Sequence, residues 1–174
     1  MTKRAYQKFD RAPRDFYATP PDAVRPLLQH LPQETAFHEP CAGDGALIDA
    51  LEAHGHRCTA SGDISPRREG ILDEDAFTLL RCHGEMFITN PPWRRDLLHP
   101  MIAHFCSLAP TWLLFDADWM HTKQATDFLK HCTDIVSVGR VKWFGNQAGF
   151  DNCCWYKFTA AIAFDGTRFH EQRL

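Results

Sequence analysis

A chain of 174 residues has the length of one domain and can close its own core without disulfides or metal, leaving little room for a second. Its 44% hydrophobic and 24% charged residues exclude global disorder and a collagen-like fibre, and no apolar run approaches the roughly 18 residues of a membrane span. The net charge of −3 excludes a generally basic nucleic-acid coat, but residues 1–15 carry +3 and the remainder −6, so a basic arm stands on an acidic body and is read either as a phosphate contact or as a solvated tail.

The N-terminus, MTKRAYQKFDRAPRDFYATPP, is positive but lacks the apolar stretch of a secretory signal. Seven cysteines include no CxxC pair, and ten histidines include no HExxH. A reduced, cytoplasmic protein without a metal site is therefore expected. His54 and His56 fall in the polar turn AHGHR and are expected to be solvated.

Taken in chain order, Thr19-Pro20-Pro21-Asp22 reads as a helix start, with Thr19 as cap and a T-x-x-D box. Pro26 should shorten or bend that helix, which is expected to run to about Leu31. Thr35–Glu39 reads as a strand, Cys41–Gly45 as a tight glycine turn, and Ala46–Ala53 as a helix stopped by Gly55. Arg57–Asp63 reads as a second strand. Ser65–Arg81 is ambiguous, a turn and a short helix. Met86–Thr89 is a short buried strand entering Asn90-Pro91-Pro92-Trp93. Helices are expected over Leu97–Leu108 and His121–His131, with Thr111–Phe115 a central strand between them. Asp134–Phe144 and Asn152–Ala163 read as an antiparallel pair around the loop Gly145–Gly149. The assembly expected is α/β: a mostly parallel central sheet flanked by helices, with a terminal antiparallel β-hairpin.

Two constellations carry chemistry. In FHEPCAGDGAL, Gly43 and Gly45 let the backbone turn tightly after a strand and let a ligand approach without Cβ interference. Glu39 at the strand end suits an ammonium group. Asp63 ends the next strand about 20 residues on, where a carboxylate receives two ribose hydroxyls. This is not GxGxxG, and two glycines alone mark only a turn. The second constellation, MFITNPPW, is more specific. Two prolines after a strand remove donors and stiffen the chain, and Asn90 is held extended by the proline that follows. The Asn90 side-chain oxygen and the Pro91 carbonyl then form a grip for a planar NH2 group, with Trp93 as a flat face to stack on it. A rigid loop with a half-buried tryptophan is the structural alternative.

These motifs together resemble the class I S-adenosylmethionine-dependent methyltransferases, and within them the amino-methylating group with the [DNS]-P-P-[YFW] signature, most of all the small phage-type DNA N6-adenine methyltransferases. The order Y-x-T-P (Tyr17 to Pro20), EPCAGDG, acidic strand end and NPPW matches over most of residues 15–160. Glu39-Pro40 stands where many relatives have Asp-Pro. The resemblance implies a Rossmann-like fold and S-adenosyl-L-methionine as cofactor, in a bacterial or phage-infected cell. Tyr17 would pack near the cofactor. Thr19 would bind the methionine carboxylate, in competition with helix capping. Glu39 would bind the ammonium, and Cys41, Gly43 and Gly45 would pass close by. Asp63 would hold the ribose and Ile64 cover the adenine. Asp75, with Ala76 or Phe77, would receive the adenine amine, with Asp73 as rival. Asn90, Pro91, Pro92 and Trp93 would form the target pocket, Asn90 bordering the cofactor as well.

The implied partner is nucleic acid, DNA first. Arg94 and Arg95 either hold flanking phosphates or simply begin a solvated helix, against whose dipole they stand. Arg14 in the arm and Arg140, Lys142, Trp143 and Phe144 near the hairpin are further nucleic-acid candidates, strand alternation being the competing reading for the hairpin group. RNA adenine and a protein glutamine amide present the same planar amine and stay as alternatives, as does a non-catalytic cofactor- or nucleic-acid-binding module. Only 81 residues follow Trp93. The expected organisation is a basic arm over 1–15 and one methyltransferase domain over 16–174, without a separate target-recognition domain, so that target recognition is short, comes from the arm or hairpin loop, is supplied by a partner or oligomer, or is absent.

Overall fold

The computed structural model describes residues 17–143, 150–163 and 165–172. The basic arm, Arg14 and the Phe144–Gly149 part of the hairpin loop lie outside them. Among the described residues eight strands form one sheet: β1 Ala36–Glu39, β2 Arg57–Asp63, β3 Leu72–Asp73, β4 Met86–Thr89, β5 Thr111–Asp116, β6 Cys132–Lys142, β7 Phe150–Phe158 and β8 Arg168–His170. Their order across the sheet is β3-β2-β1-β4-β5-β7-β6-β8. All neighbours are parallel except β7, which runs antiparallel to both β5 and β6. The hairpin is thus present, but its second strand inserts between β5 and β6.

Strand alternation divides the core into two layers. Ile88, Trp112, Leu114 and Trp155 face helices α1 (Pro21–Leu28) and α2 (Ala46–Glu52). Phe87, Leu113, Phe115, Tyr156 and Phe158 face α3 (Arg95–Leu108), which buries Leu98, Ile102 and Phe105 against them. Helix α1 is anchored at long range: the buried Trp155 indole N–H donates to the Ala23 carbonyl at 2.8 Å.

Several local expectations are corrected. Helix α1 ends at Leu28 rather than Leu31, and its N-cap position is Pro20 with no side-chain cap; the Thr19 hydroxyl serves Asn90 instead. Ser65–Arg81 holds the expected short helix as a 3-10 turn, Ala76–Thr78, and adds the unexpected strand β3. The helix expected over His121–His131 is broken into 3-10 turns Ala117–His121 and Lys123–Ala125 followed by α4, Thr126–Leu129. Thr122 gives both its N–H and its hydroxyl to the Trp119 carbonyl, which closes the first turn. The second hairpin strand stops at Phe158, because Thr159 and Ala163 donate sideways to the carbonyls of His131 and Lys130. His56 is buried rather than solvated. Gly55, at φ 84°, ends α2 in a Schellman turn: its N–H meets the Glu52 carbonyl and the His56 N–H meets that of Leu51, which folds His56 back onto the helix end. Burial, and then His54, depress its basicity.

Candidate active site

Strand order reverses between β1 and β4, and the crevice at the carboxyl ends of such strands is where α/β sheets hold ligands. A cavity of about 230 Å³ lies there, lined by Tyr17, Thr19, Glu39, Cys41, Gly43, Asp63, Ile64, Asp75, Ala76, Asn90 and Pro92 among others. Residues that are up to 84 positions apart in sequence, Tyr17 and Met101, therefore share one wall. Cys41 contributes a thiol pushed upward by burial and then by Asp63.

The bend after β1 is pinned to the end of β2. Gly43, at φ 55°, gives its N–H to Asp63 Oδ2 at 2.8 Å, and Ser65 gives its N–H to Asp63 Oδ1 at 2.8 Å. The Arg67 N–H returns to the Gly43 carbonyl at 2.9 Å. Both Asp63 oxygens are thereby oriented, and each keeps acceptor capacity for another donor. Gly45 has a different task. At φ 80° it begins α2, and a Cβ there would meet Arg68 Nη1 at 2.6 Å. It faces Arg68, not the cavity.

Glu39 is 2% exposed and its Oε2 has no hydrogen-bond partner. Burial, followed by repulsion from Asp63, Asp44 and Asp49, raises its carboxyl well above the usual range. A buried acceptor with no donor, among other carboxylates, is the electrostatic complement of a cation. Asp75 begins the 3-10 turn with Oδ1 accepting from the Phe77 N–H at 3.0 Å. Ile64 is 64% exposed at the same mouth. Asp73, the rival to Asp75, pairs with Asp63 as part of β3 and does not line the cavity.

Asn90 follows β4 directly. Its Nδ2 donates to Thr19 Oγ1 at 3.2 Å and to the Tyr17 carbonyl at 3.4 Å, and its Oδ1 accepts from Trp93 Nε1 at 3.1 Å. Pro91 is buried, and neither it nor Trp93 lines the cavity. The Trp93 ring is packed between the two core layers and meets Trp143 edge-to-face at 5.4 Å, while Tyr17 lies 6.0 Å from Trp143. Arg94 precedes α3 and pairs with Asp96, and Arg95 donates to Gln124. Asp96 in the first turn meets the helix dipole favourably, so the two arginines have a local structural account. Lys142 is exposed at the end of β6. Sequence reasoning missed Arg67, Leu97 and Met101 on the cavity wall. Leu97 and Met101 stand four apart at the start of α3, a segment read only as a helix, and nothing local marks Arg67.

No family model matches the chain, and no curated protein matches it. Solved structures do. A Pyrococcus horikoshii protein assigned as an RNA methyltransferase superposes with TM-score 0.63 at 12% identity, over 86% of this chain and 88% of that one. A Listeria monocytogenes protein assigned as a class I S-adenosylmethionine-dependent methyltransferase gives 0.56 at 13% identity, over 87% and 62%. The M protein of the type I restriction enzyme EcoKI gives 0.56 at 13% identity, over 89% and 48%. At such identities the likeness is one of fold: this chain has the Rossmann-like architecture of the class I methyltransferases. It spans less than two thirds of the second and third of these proteins.

Proposed function

We propose that the chain is a nucleic-acid methyltransferase that uses S-adenosyl-L-methionine to methylate the exocyclic N6 amine of adenine in DNA. One observation carries the reading: the orphaned carboxylate of Glu39, the pinned glycine bend, Asp63 and the Asn90 amide all border one cavity at the switch point of the sheet. The residues fit the cofactor. Glu39 suits its ammonium, Asp63 its ribose hydroxyls, and Ile64, Asp75 and Ala76 its adenine. Bound there, it supplies a methyl group already activated on a sulfonium sulfur.

The remaining task is to make a poor nucleophile attack. An adenine amine delocalises its lone pair into the ring. Asn90 Oδ1 accepts one of its hydrogens and favours a more tetrahedral nitrogen. This acceptor meets a nitrogen that becomes positive as the bond forms, so it stabilises the transition state more than the ground state; Pro91, buried and off the cavity wall, is not placed to supply a second. Orientation adds to this, and effective molarities for well-placed reactants are worth about 7–11 kcal/mol. The nitrogen, positive and strongly acidic once methylated, would lose its extra proton to water after transfer, so no general base is needed, in keeping with an amide at this position. A duplex base has to be flipped to reach the cavity, at a cost of a few kcal/mol. Tyr17 lines the cavity beside Asn90, and stacking on its ring returns about 1–3 kcal/mol; Trp93 and Trp143 pack next to each other off the cavity wall. Exposed Lys142, the arginines at 94 and 95, and the basic arm with Arg14 are the proposed phosphate contacts. The fold neighbours include proteins named for RNA and for restriction–modification, which supports a nucleic-acid substrate.

The test is transfer of labelled methyl groups into separate DNA, RNA and protein pools. Label should appear in DNA as N6-methyladenine, and Asn90→Ala should keep cofactor binding while losing about 10²–10³-fold in rate. Label confined to RNA or to protein glutamine would reassign the substrate. Undiminished transfer by Asn90→Ala would remove the site.

A further inference from the structure

The Asn90 amide is bonded on both edges, and the two edges meet groups of opposite kind. Nδ2 faces the Tyr17 carbonyl, which only accepts, and Oδ1 faces the Trp93 indole N–H, which only donates. Turned by 180°, the amide would set N–H against N–H and oxygen against oxygen. Its two ends have nearly the same shape, so packing does not choose between them and the partners must. The Thr19 hydroxyl donates or accepts equally well and has no vote. Trp93 is itself immobilised: Nε1 forks to the Leu114 carbonyl of β5 at 3.2 Å, and the ring is held between the core layers and against Trp143.

We infer that Trp93 is a positioning residue, its indole N–H working with the Tyr17 carbonyl to fix the Asn90 amide in the one orientation that offers oxygen to a substrate amine. The inference rests on the proposed role of Asn90 as an acceptor; Trp93 does not line the cavity, so its part is to orient Asn90 and not to stack on the base. An oxygen bonded once by the indole keeps a second lone pair for the amine. A turned amide would offer N–H to N–H and would hold the substrate without activating it, so the orientation bears on turnover more than on substrate binding.

The experiment replaces Trp93 in the full chain with 3-benzothienylalanine, which keeps the two-ring shape and exchanges the N–H for sulfur. Trp93→Phe, which also lacks the donor, serves as the second variant. Expected are a fall in kcat for adenine methylation of about three- to ten-fold, the worth of one such hydrogen bond, an unchanged KM for DNA, and an unchanged cofactor affinity, which also certifies folding. In 15N-edited spectra the Asn90 side-chain NH2 pair is expected to be sharp in the native protein, where Nδ2 is bonded to Tyr17 and Thr19, and to broaden in both variants. Full kcat in the benzothienyl variant, or unaltered Asn90 NH2 signals, would overturn the inference. A native protein that methylates no adenine would instead refute the proposed function, and the NH2 signals would still decide whether Trp93 orients Asn90.

Discussion

Glu39→Gln should weaken ligand binding and strengthen the fold at the same time. The native carboxyl ends β1 with 2% exposure, one oxygen unpartnered, and three other carboxylates close enough to raise its pKa. Folding thus lifts this pKa above its unfolded value. The contribution to stability is intact below the ordinary carboxylate range and is lost as pH rises through the raised folded value. A neutral amide has no such loss. What the amide removes is the cost of ionising a buried carboxyl beside Asp63, Asp44 and Asp49, and relief of about 1 kcal/mol would raise the melting temperature by about 2–4 °C at this size. Binding moves the other way. A charge-assisted hydrogen bond to an ammonium is worth about 1.5–3 kcal/mol, so Glu39→Gln should lose about 10- to 100-fold in affinity. The native carboxyl must release its proton to receive the ammonium, so native affinity should rise with pH toward the raised pKa and the variant should be flat. Calorimetric titration with S-adenosylhomocysteine, which keeps the amino-acid end, reads this in two buffers of different protonation enthalpy; thermal melts read the stability. Affinities within two-fold of each other, or a native affinity that ignores pH, would refute the argument.

Two further outcomes follow from the geometry. Asp63→Asn puts an NH2 where one of two N–H groups now finds an oxygen; cofactor affinity should drop by about ten-fold or more, and equilibrium dialysis showing no loss would remove Asp63 from the site. Asp134 concerns the opposite edge of the sheet. Burial there acts to raise its pKa, but bonds from Arg168, His170 and Thr133 prevail and hold it at about 2, below the ordinary 3.8. Its stabilisation is present above the ordinary value and lost as pH falls toward 2. With Arg168 largely exposed, the loss should be about 1–2 kcal/mol. Urea unfolding at stepped pH should show a fall between pH 4.5 and 2.5 in the native protein that is smaller in Asp134→Asn; parallel curves would mean that this cluster does not hold β8.

The parts of the site that were legible in the sequence are those whose backbone is dictated locally. Gly43 and Gly45 announce a bend because positive φ suits glycine, and Pro91-Pro92 announce a rigid exit from β4 because neither residue can donate. The strand ends at Glu39, Asp63 and Thr89 were visible from short apolar or alternating runs. The small strand β8 was not, because it depends on a strand that neighbours it only after folding; the broken helix at residues 117–129 and the burial of His56 turn on carbonyls only three and five residues away, at Trp119 and Leu51, which no residue-type pattern marks.

The amino-acid order alone therefore determined an α/β sheet with a glycine bend after β1 and an Asn-Pro-Pro-Trp exit after β4, since backbone freedom and side-chain period are properties of short segments. Only the tertiary structure decided that β7 inserts between β5 and β6, that Glu39 is buried without a donor, and that the Asn90 amide is clamped between Tyr17 and Trp93. Those are relations between groups up to 73 residues apart in this site, and hydrogen bonding and desolvation act through space, with no trace in the spacing of residues along the chain.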